Sequence, residues 1–273
     1  MFECVVNISE GQSKPLINEL CASGGRSLRD VHSDRYHNRS VFTLINELAP
    51  LAFDVRGLLS SAYERLDLRA HEGVHPRFGV VDVVPFVALA PHESHLARAL
   101  RDETAQWIAE RFDVPVFLYG PSAQGLRTLP EVRKGAFTTL SPDFGPVLPS
   151  SARGATAVGE RPILMAWNLW LRNVRIEEAR AIARSIRRPE VRALAFEVGD
   201  QVQISCNLIA PGLVGPGVVY DSVVTQLSPD ARVERAELVG LIPRSVLEAA
   251  AHSRWDQLGL SAETTIESRI GNG

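Results

Sequence analysis

Residues 27–46 read SLRDVHSDRYHNRSVFTLIN, two strands in succession with no helix between them. The second, RSVFTLIN over 39–46, is rich in β-branched and aromatic residues, and the first runs over about 27–33. Working outward, FECVVNI (2–8) is a strand and Ser9, Glu10 and Gly11 turn it into a helix over about 13–22. On the other side, apolar residues recur at helical spacing over about 50–68, and VDVVPFVALA (81–90) is again a strand. The order is therefore β-α-β-β-α-β. A helix over about 93–111 and a strand at VPVFLYG (114–120) extend it.

That order is the split βαβ pattern of ferredoxin-like folds, and it appears a second time. After residue 160, RPILMAWNLWL (161–171) is a strand, IEEARAIARSI (176–186) an amphipathic helix, and ALAFEVG (193–199) and VQISCNLI (202–209) two strands. A helix near 216–227 and a strand near 232–241 complete the unit, with SVLEAAAHSRWDQL (245–258) as a final helix. The expected fold is α/β (α+β), two ferredoxin-like βαββαβ subdomains with a small-molecule cleft between them. Their junction falls near residue 157, giving an N-terminal subdomain 1–157 and a C-terminal one 158–273. Between 120 and 160 the chain is dense in Gly, Pro and Ser, too long and too punctuated for a passive connector.

The bulk numbers exclude several function classes. Of 273 residues, 45% are hydrophobic and 22% charged, an ordinary globular balance with material for a sizeable core. A net charge of -3 gives no support for broad contact with a nucleic-acid backbone. Cys4, Cys21 and Cys206 are odd in number and lack CxxC spacing, which fits a reducing compartment. No window approaches the roughly 18 apolar residues of a membrane span, and MFECVVNISEG reads as a strand rather than a secretory leader. A cytoplasmic protein without nucleic-acid or membrane partners is expected.

The strongest local signal is HEGVHPRFGVVDVVPF (71–86). Read literally, His71, Glu72 and His75 match H-E-x-x-H, a zinc hydrolase motif that requires a helix. Gly73 in its middle disfavours a helix by about 1 kcal/mol, and Pro76 biases the preceding residue away from αR. The other reading is a loop that carries His75 and Arg77 into a pocket before entering the strand at 81, with Gly73 and Gly79 supplying backbone freedom. Histidine is the side chain suited to proton transfer near neutrality, and arginine can clamp a carboxylate with two parallel bonds. Arg39, Arg77, Arg127 and Arg161 are candidates for such clamps or for surface ion pairs. Tyr119, Trp167 and Trp170 are candidates to stack on a flat ring, although strand aromatics are more often core; the two tryptophans, three apart, face opposite sides of a strand. His92 and His95 read as solvated helix-start residues.

HEGVHPRFGVVDVVPF resembles the HxGxHPRxGxxDVxPF signature of the formiminotransferase domain. ECVVNISEG (3–11), NRSVFT (38–43), VPVFLYG (114–120), RTLPEVRKGAF (127–137), PDFGP (142–146) and GATAVGER (154–161) resemble further stretches of that family in the same order. The resemblance spans most of residues 2–255. It implies transfer of a formimino group from N-formimino-L-glutamate to tetrahydrofolate as co-substrate, without a metal, within one-carbon metabolism and histidine degradation. It implies that His75 is the general acid and base, and that GPVLPSSARG (145–154), with Gly145, Pro146 and Gly154, contacts folate. His32, Asn38, Arg39, Arg77, Gly79 and Arg161 are the remaining implied substrate or folate contacts, and a homodimer is the implied assembly. Where the family reads DxDxGxxxNR, this chain reads DVHSDRYHNR, so His32 stands at the second acidic position and Asp34 nearby. That departure, with a short C-terminus, leaves open a repurposed folate- or small-molecule-binding homologue.

Overall fold

The first strand shows why the chain folds as it does. In β1 (Phe2–Ile8), Phe2, Cys4, Val6 and Ile8 are buried in one apolar cluster, so the alternate residues Glu3, Val5 and Asn7 face the other side of the sheet. Next come α1 (Lys14–Ser23), β2 (Leu28–Asp34), β3 (Arg39–Asn46), α2 (Leu48–Arg65), β4 (Val81–Ala88), α3 (Ser94–Phe112) and β5 (Val116–Ser122). After them lie β6 (Gly125–Arg127), α4 (Leu129–Gly135) and β7 (Thr156–Glu160). These form one sheet in the order β2-β3-β1-β4-β7-β5-β6. Its first four strands are antiparallel and have the ferredoxin-like order; β7 lies parallel to β4, and β5 parallel to β7.

α2 buries Leu51, Val55, Leu58, Leu59, Ala62 and Tyr63, a stripe at helical spacing that meets the apolar face of the sheet. The opposite face carries a second, smaller cluster of Val83, Phe117, Tyr119, Val132, Ala155 and Ala157, to which α4 contributes. β4 is buried along its whole length, as expected of a strand with neighbours on both sides and layers above and below. Its pairing with β1 omits Val84 and Pro85, where proline has no N–H to donate.

The remaining elements are β8 (Met165–Arg172), α5 (Ile176–Ser185), β9 (Val191–Val198), β10 (Gln201–Leu208), α6 (Pro216–Val224), β11 (Arg232–Val239), α7 (Arg244–Glu248) and α8 (Ile266–Ile270). Their strand order, β11-β8-β10-β9, repeats the ferredoxin-like arrangement. Trp167 lies in the core with its Nε1 donating to Leu258 O at 2.8 Å, while Trp170 packs on the other face beneath the Arg235 guanidinium, 4.1 Å from its ring centre. The computed structural model describes residues 1–74, 77–122 and 125–271, and the chain divides into two units, Met1–Pro162 and Ile163–Gly273. Among the described residues no helix is long and apolar enough to cross a membrane.

Three segments differ from the sequence-based expectation. The punctuated stretch after residue 120 holds α4 and β7. α4 starts on a capping box in which Thr128 and Glu131 satisfy each other's backbone N–H groups, a Thr-x-x-Glu signal legible in RTLPEVRK. The strand expected at 161–171 begins at Met165, because Arg161 N is taken by Phe86 O beside β4 and Pro162 follows. The helix expected over 245–258 stops at Glu248. Ala251 is extended, Trp255 Nε1 donates to Ala250 O, and the turns that follow carry Leu258 and Leu260 into the core. Tertiary packing overrides the helix propensity of the alanine run there.

Candidate functional site

Four segments converge where β1 ends and β4 and β7 begin. Ser9 donates from its backbone to Val80 O and from its hydroxyl to Gly79 O, both at 2.8 Å, which fastens the NISEG turn to the loop before β4. Gly11 N donates to Asn38 Oδ1 at 2.9 Å, and Asn38 Nδ2 donates to Glu72 O at 2.8 Å. Asn38 thus links the first turn, the β2–β3 hairpin and the 71–74 segment, from a left-handed conformation (φ 46°) that asparagine tolerates better than most residues. Phe78 O accepts from Ala155 N, and Arg153 O from Val80 N, joining the end of the 145–154 loop to the same place.

Glycines permit these contacts. A Cβ at Gly79 would collide with the carbonyls of Ala155 and Arg153, and one at Gly73 with the carbonyl of His37. Neither residue has a positive φ, so close approach, not unusual backbone freedom, is what requires glycine. Gly154 needs both, with φ +72° and a Cβ that would collide with Phe78 O and the Gly79 α-carbon. Gly145, at φ +82°, lies against Val114 O at the far end of its loop, with Pro146 next to it.

His71 has one tautomer that satisfies its surroundings. Its Nε2 faces Asn38 O at 2.8 Å, a carbonyl that can only accept, and its Nδ1 faces an Arg77 Nη, which can only donate. The proton therefore sits on Nε2. Burial, followed by the Arg77 charge, holds this imidazole below its ordinary pKa against the opposing pull of the Asn38 carbonyl. Arg77 also donates to His71 O at 2.7 Å and Gly73 O at 2.6 Å, so its fork closes the loop onto itself. Residues 71–73 form no helix. With both ring nitrogens engaged, His71 would have to give up one of these bonds to serve as the first ligand of an H-E-x-x-H site. His75 itself lies outside the described residues.

Asp82 is fully buried in the bulge at the start of β4. Its Oδ1 accepts from Phe78 N at 2.7 Å; its Oδ2 pairs with Arg39 and, at 2.6 Å, with Arg133 from α4. Burial alone would raise this carboxyl, but the two guanidiniums hold it at about 2. Arg39 also donates from Nε and Nη2 to Asn7 Oδ1. Farther along the same face, the Arg161 charge acts on the buried Tyr119, whose ring lies over Gly159, and on Glu3. Burial pushes the Glu3 carboxyl up to about 7 against the opposing pull of Arg161.

The remaining expected residues fall as follows. His32 is half-buried on β2 opposite Val41, on the face that carries Arg39. Asp34 accepts from the backbones of Tyr36 and His37, both at 2.8 Å, and so closes the hairpin. Arg127 pairs with Asp143 at 2.7 Å, near the start of α4. His92 and His95 are exposed at the start of α3. Asp82 and Arg133 were not singled out in the sequence. A lone aspartate within VVDVVPF is a readable sign of a buried charge with partners, whereas Arg133 carries no such mark.

Residues 1–161 match the formiminotransferase domain, N-terminal subdomain. The chain is 30% identical over 272 residues to a glutamate formimidoyltransferase of Thermoplasma acidophilum, covering 90% of this chain and 89% of that one. It is 36% identical over 202 residues to a glutamate formimidoyltransferase of Streptococcus pyogenes serotype M1, covering 68% of each. It is 30% identical over 281 residues to the formimidoyltransferase-cyclodeaminase of Sus scrofa, covering 92% of this chain. It spans about half the length of that relative, 52%. The chain belongs to the formiminotransferase family of transferases.

Proposed function

We propose that this protein transfers a formimino group from N-formimino-L-glutamate to tetrahydrofolate, with His75 as general acid and base. The observation that carries the reading is the match, over most of both chains, to a protein named glutamate formimidoyltransferase. The site supports it. The loop bearing HPR is fastened on either side of position 75, by Val74 N to Tyr36 O and Asn38 to Glu72 on one flank and by Arg77, Phe78 and Gly79 on the other. Anchored flanks favour a repeatable geometry for a proton-transfer group.

In the reaction, a folate amine nitrogen attacks the formimino carbon. The tetrahedral intermediate collapses with loss of the amino-acid nitrogen, so a proton must leave the first nitrogen and reach the second. A positioned histidine contributes a factor of roughly 10² to 10⁴ to such a step. On this reading Asn38, Arg77, Gly79 and Gly154 shape the loop, while His32, Arg39, Arg161 and the Gly145–Pro146 turn face the substrates. The same reading makes the protein a cytoplasmic homodimer, which sedimentation of the purified chain checks.

The test is release of glutamate from N-formimino-L-glutamate in the presence of tetrahydrofolate. His75→Ala should lower turnover by about 10² or more with an unchanged circular dichroism spectrum. Full turnover in that variant would overturn the assignment of His75; no turnover in the wild-type protein would overturn the reaction.

A further inference from the structure

Asp82 is one carboxylate shared by two guanidiniums, so the ion pairs recorded for this cluster leave a positive charge in excess. Arg39 is 15% exposed and Arg133 26%, so the surplus is largely withdrawn from water, where an uncompensated charge is unfavourable. The two arginines differ in what they have left to offer. Arg39 uses Nε and both Nη atoms on Asn7 and Asp82. Arg133 donates to Asp82 through Nη2 alone, and among the described residues its Nε and Nη1 make no recorded hydrogen bond.

We infer that Arg133, set beside Arg39 by Asp82, receives a carboxylate of the formimino-amino acid donor. The inference rests on the proposed function and adds a residue to it. The cluster is joined to the loop that bears HPR, because Asp82 takes the amide of Phe78. In the donor, the α-carboxylate carbon is three bonds from the formimino carbon, no more than about 4 Å away. The carboxylates of a folate lie beyond its benzoyl ring, well away from the reacting nitrogen. A cation anchored to the catalytic loop is therefore placed for the donor's carboxylate rather than the folate's. The planar guanidinium fork suits bidentate recognition, and lysine reproduces its charge without its geometry.

The experiment measures calorimetric binding of L-glutamate and steady-state constants for both substrates in the wild type, Arg133→Gln, Arg133→Lys and Asp82→Asn. Arg133→Gln should raise the donor KM and the glutamate Kd by about 10- to 100-fold, the range of a lost charge-assisted bond, while the tetrahydrofolate KM stays within about twofold. Arg133→Lys should recover part of the loss. Asp82→Asn, a change at a positioning residue, should raise the donor KM in the same selective way. Donor KM and glutamate Kd unchanged in both Arg133 variants, with a wild-type protein that transfers, would overturn the inference and leave the proposed function standing. Equal rises in both KM values would also overturn it, since that is general distortion. A wild type that neither binds glutamate nor transfers overturns both.

Discussion

Substituting Asp82 by asparagine keeps the shape and an acceptor for Phe78 N but removes the charge between Arg39 and Arg133. A carboxyl held at about 2 when folded and at 3.8 in its ordinary state contributes about 2 to 3 kcal/mol at neutral pH. Because the folded value is the lower one, the contribution is complete above pH 3.8 and is lost as pH falls toward about 2. Asp82→Asn should therefore cost about 2 to 3 kcal/mol at pH 7, a large part of a domain's usual margin of about 5–15. The wild-type and variant curves should converge as the medium is acidified through that window. Asp82→Ala should cost about 1–3 kcal/mol more, since Phe78 N–H then loses its acceptor. Hydrogen exchange of the β4 amides, resolved by mass spectrometry, is the suitable assay. Of the four tryptophans only Trp107 lies in Met1–Pro162, so fluorescence would mainly report the other unit. A loss below about 1 kcal/mol at pH 7, or parallel acid limbs in the two proteins, would refute the assignment of a fully ionised, doubly paired Asp82.

Three further outcomes follow from the loop geometry. Gly79→Ala should push the 150–155 segment off its partner at a cost of about 2–3 kcal/mol and expose the amides of Val80 and Ala155 to exchange; unchanged protection would contradict the contact. Nitrogen-15 NMR should find His71 protonated on Nε2 alone, with a titration midpoint below 6.5 that rises in Arg77→Ala. A protonated Nδ1 at neutral pH would rule out the donation from Arg77. His32→Asp places an acid at the second acidic position of the DxDxGxxxNR pattern, and glutamate release from N-formimino-L-glutamate in the presence of tetrahydrofolate should increase; a decrease would mean that His32 itself serves the donor this chain uses.

What was legible in the sequence was the part governed by short-range repetition. The alternation in FECVVNI and RSVFTLIN locates β1 and β3, and two strands between two helices fix the ferredoxin-like order, because each hydrophobic set needs one shared face. Where geometry depends on distant partners the reading failed. β7 is five residues long and contains Gly159, needed beneath the Tyr119 ring contributed by a strand about forty residues earlier. The run SVLEAAAHSRW looks helical until Trp255 and Leu258 find the core. The site divides in the same way. HxGxHPR is a local pattern and was found. The role inferred for Arg133 depends on a contact with Asp82 across fifty-one positions, and nothing near it in sequence announces that contact.

The two faces of the larger sheet differ in the charged groups they carry. One face is closed by α1, α2 and α3 around Val6, Ile8, Phe42, Leu44 and Phe86, and Glu160 of β7 is paired there with Arg98 of α3. On the other, ionisable groups of Met1–Pro162 come together along neighbouring strands: Glu3, Arg39, Asp82, Arg133 and Arg161. Among these five, three guanidiniums stand against one carboxylate that is fully ionised and a second, Glu3, whose carboxyl is pushed up to about 7 by burial and so carries only part of a charge at neutral pH. A face with that imbalance in a partly dry setting is stabilised by anions. Both an N-formimino amino acid and a reduced folate carry carboxylates, and the end of the face nearest the HPR loop holds Arg133, a guanidinium with donors to spare.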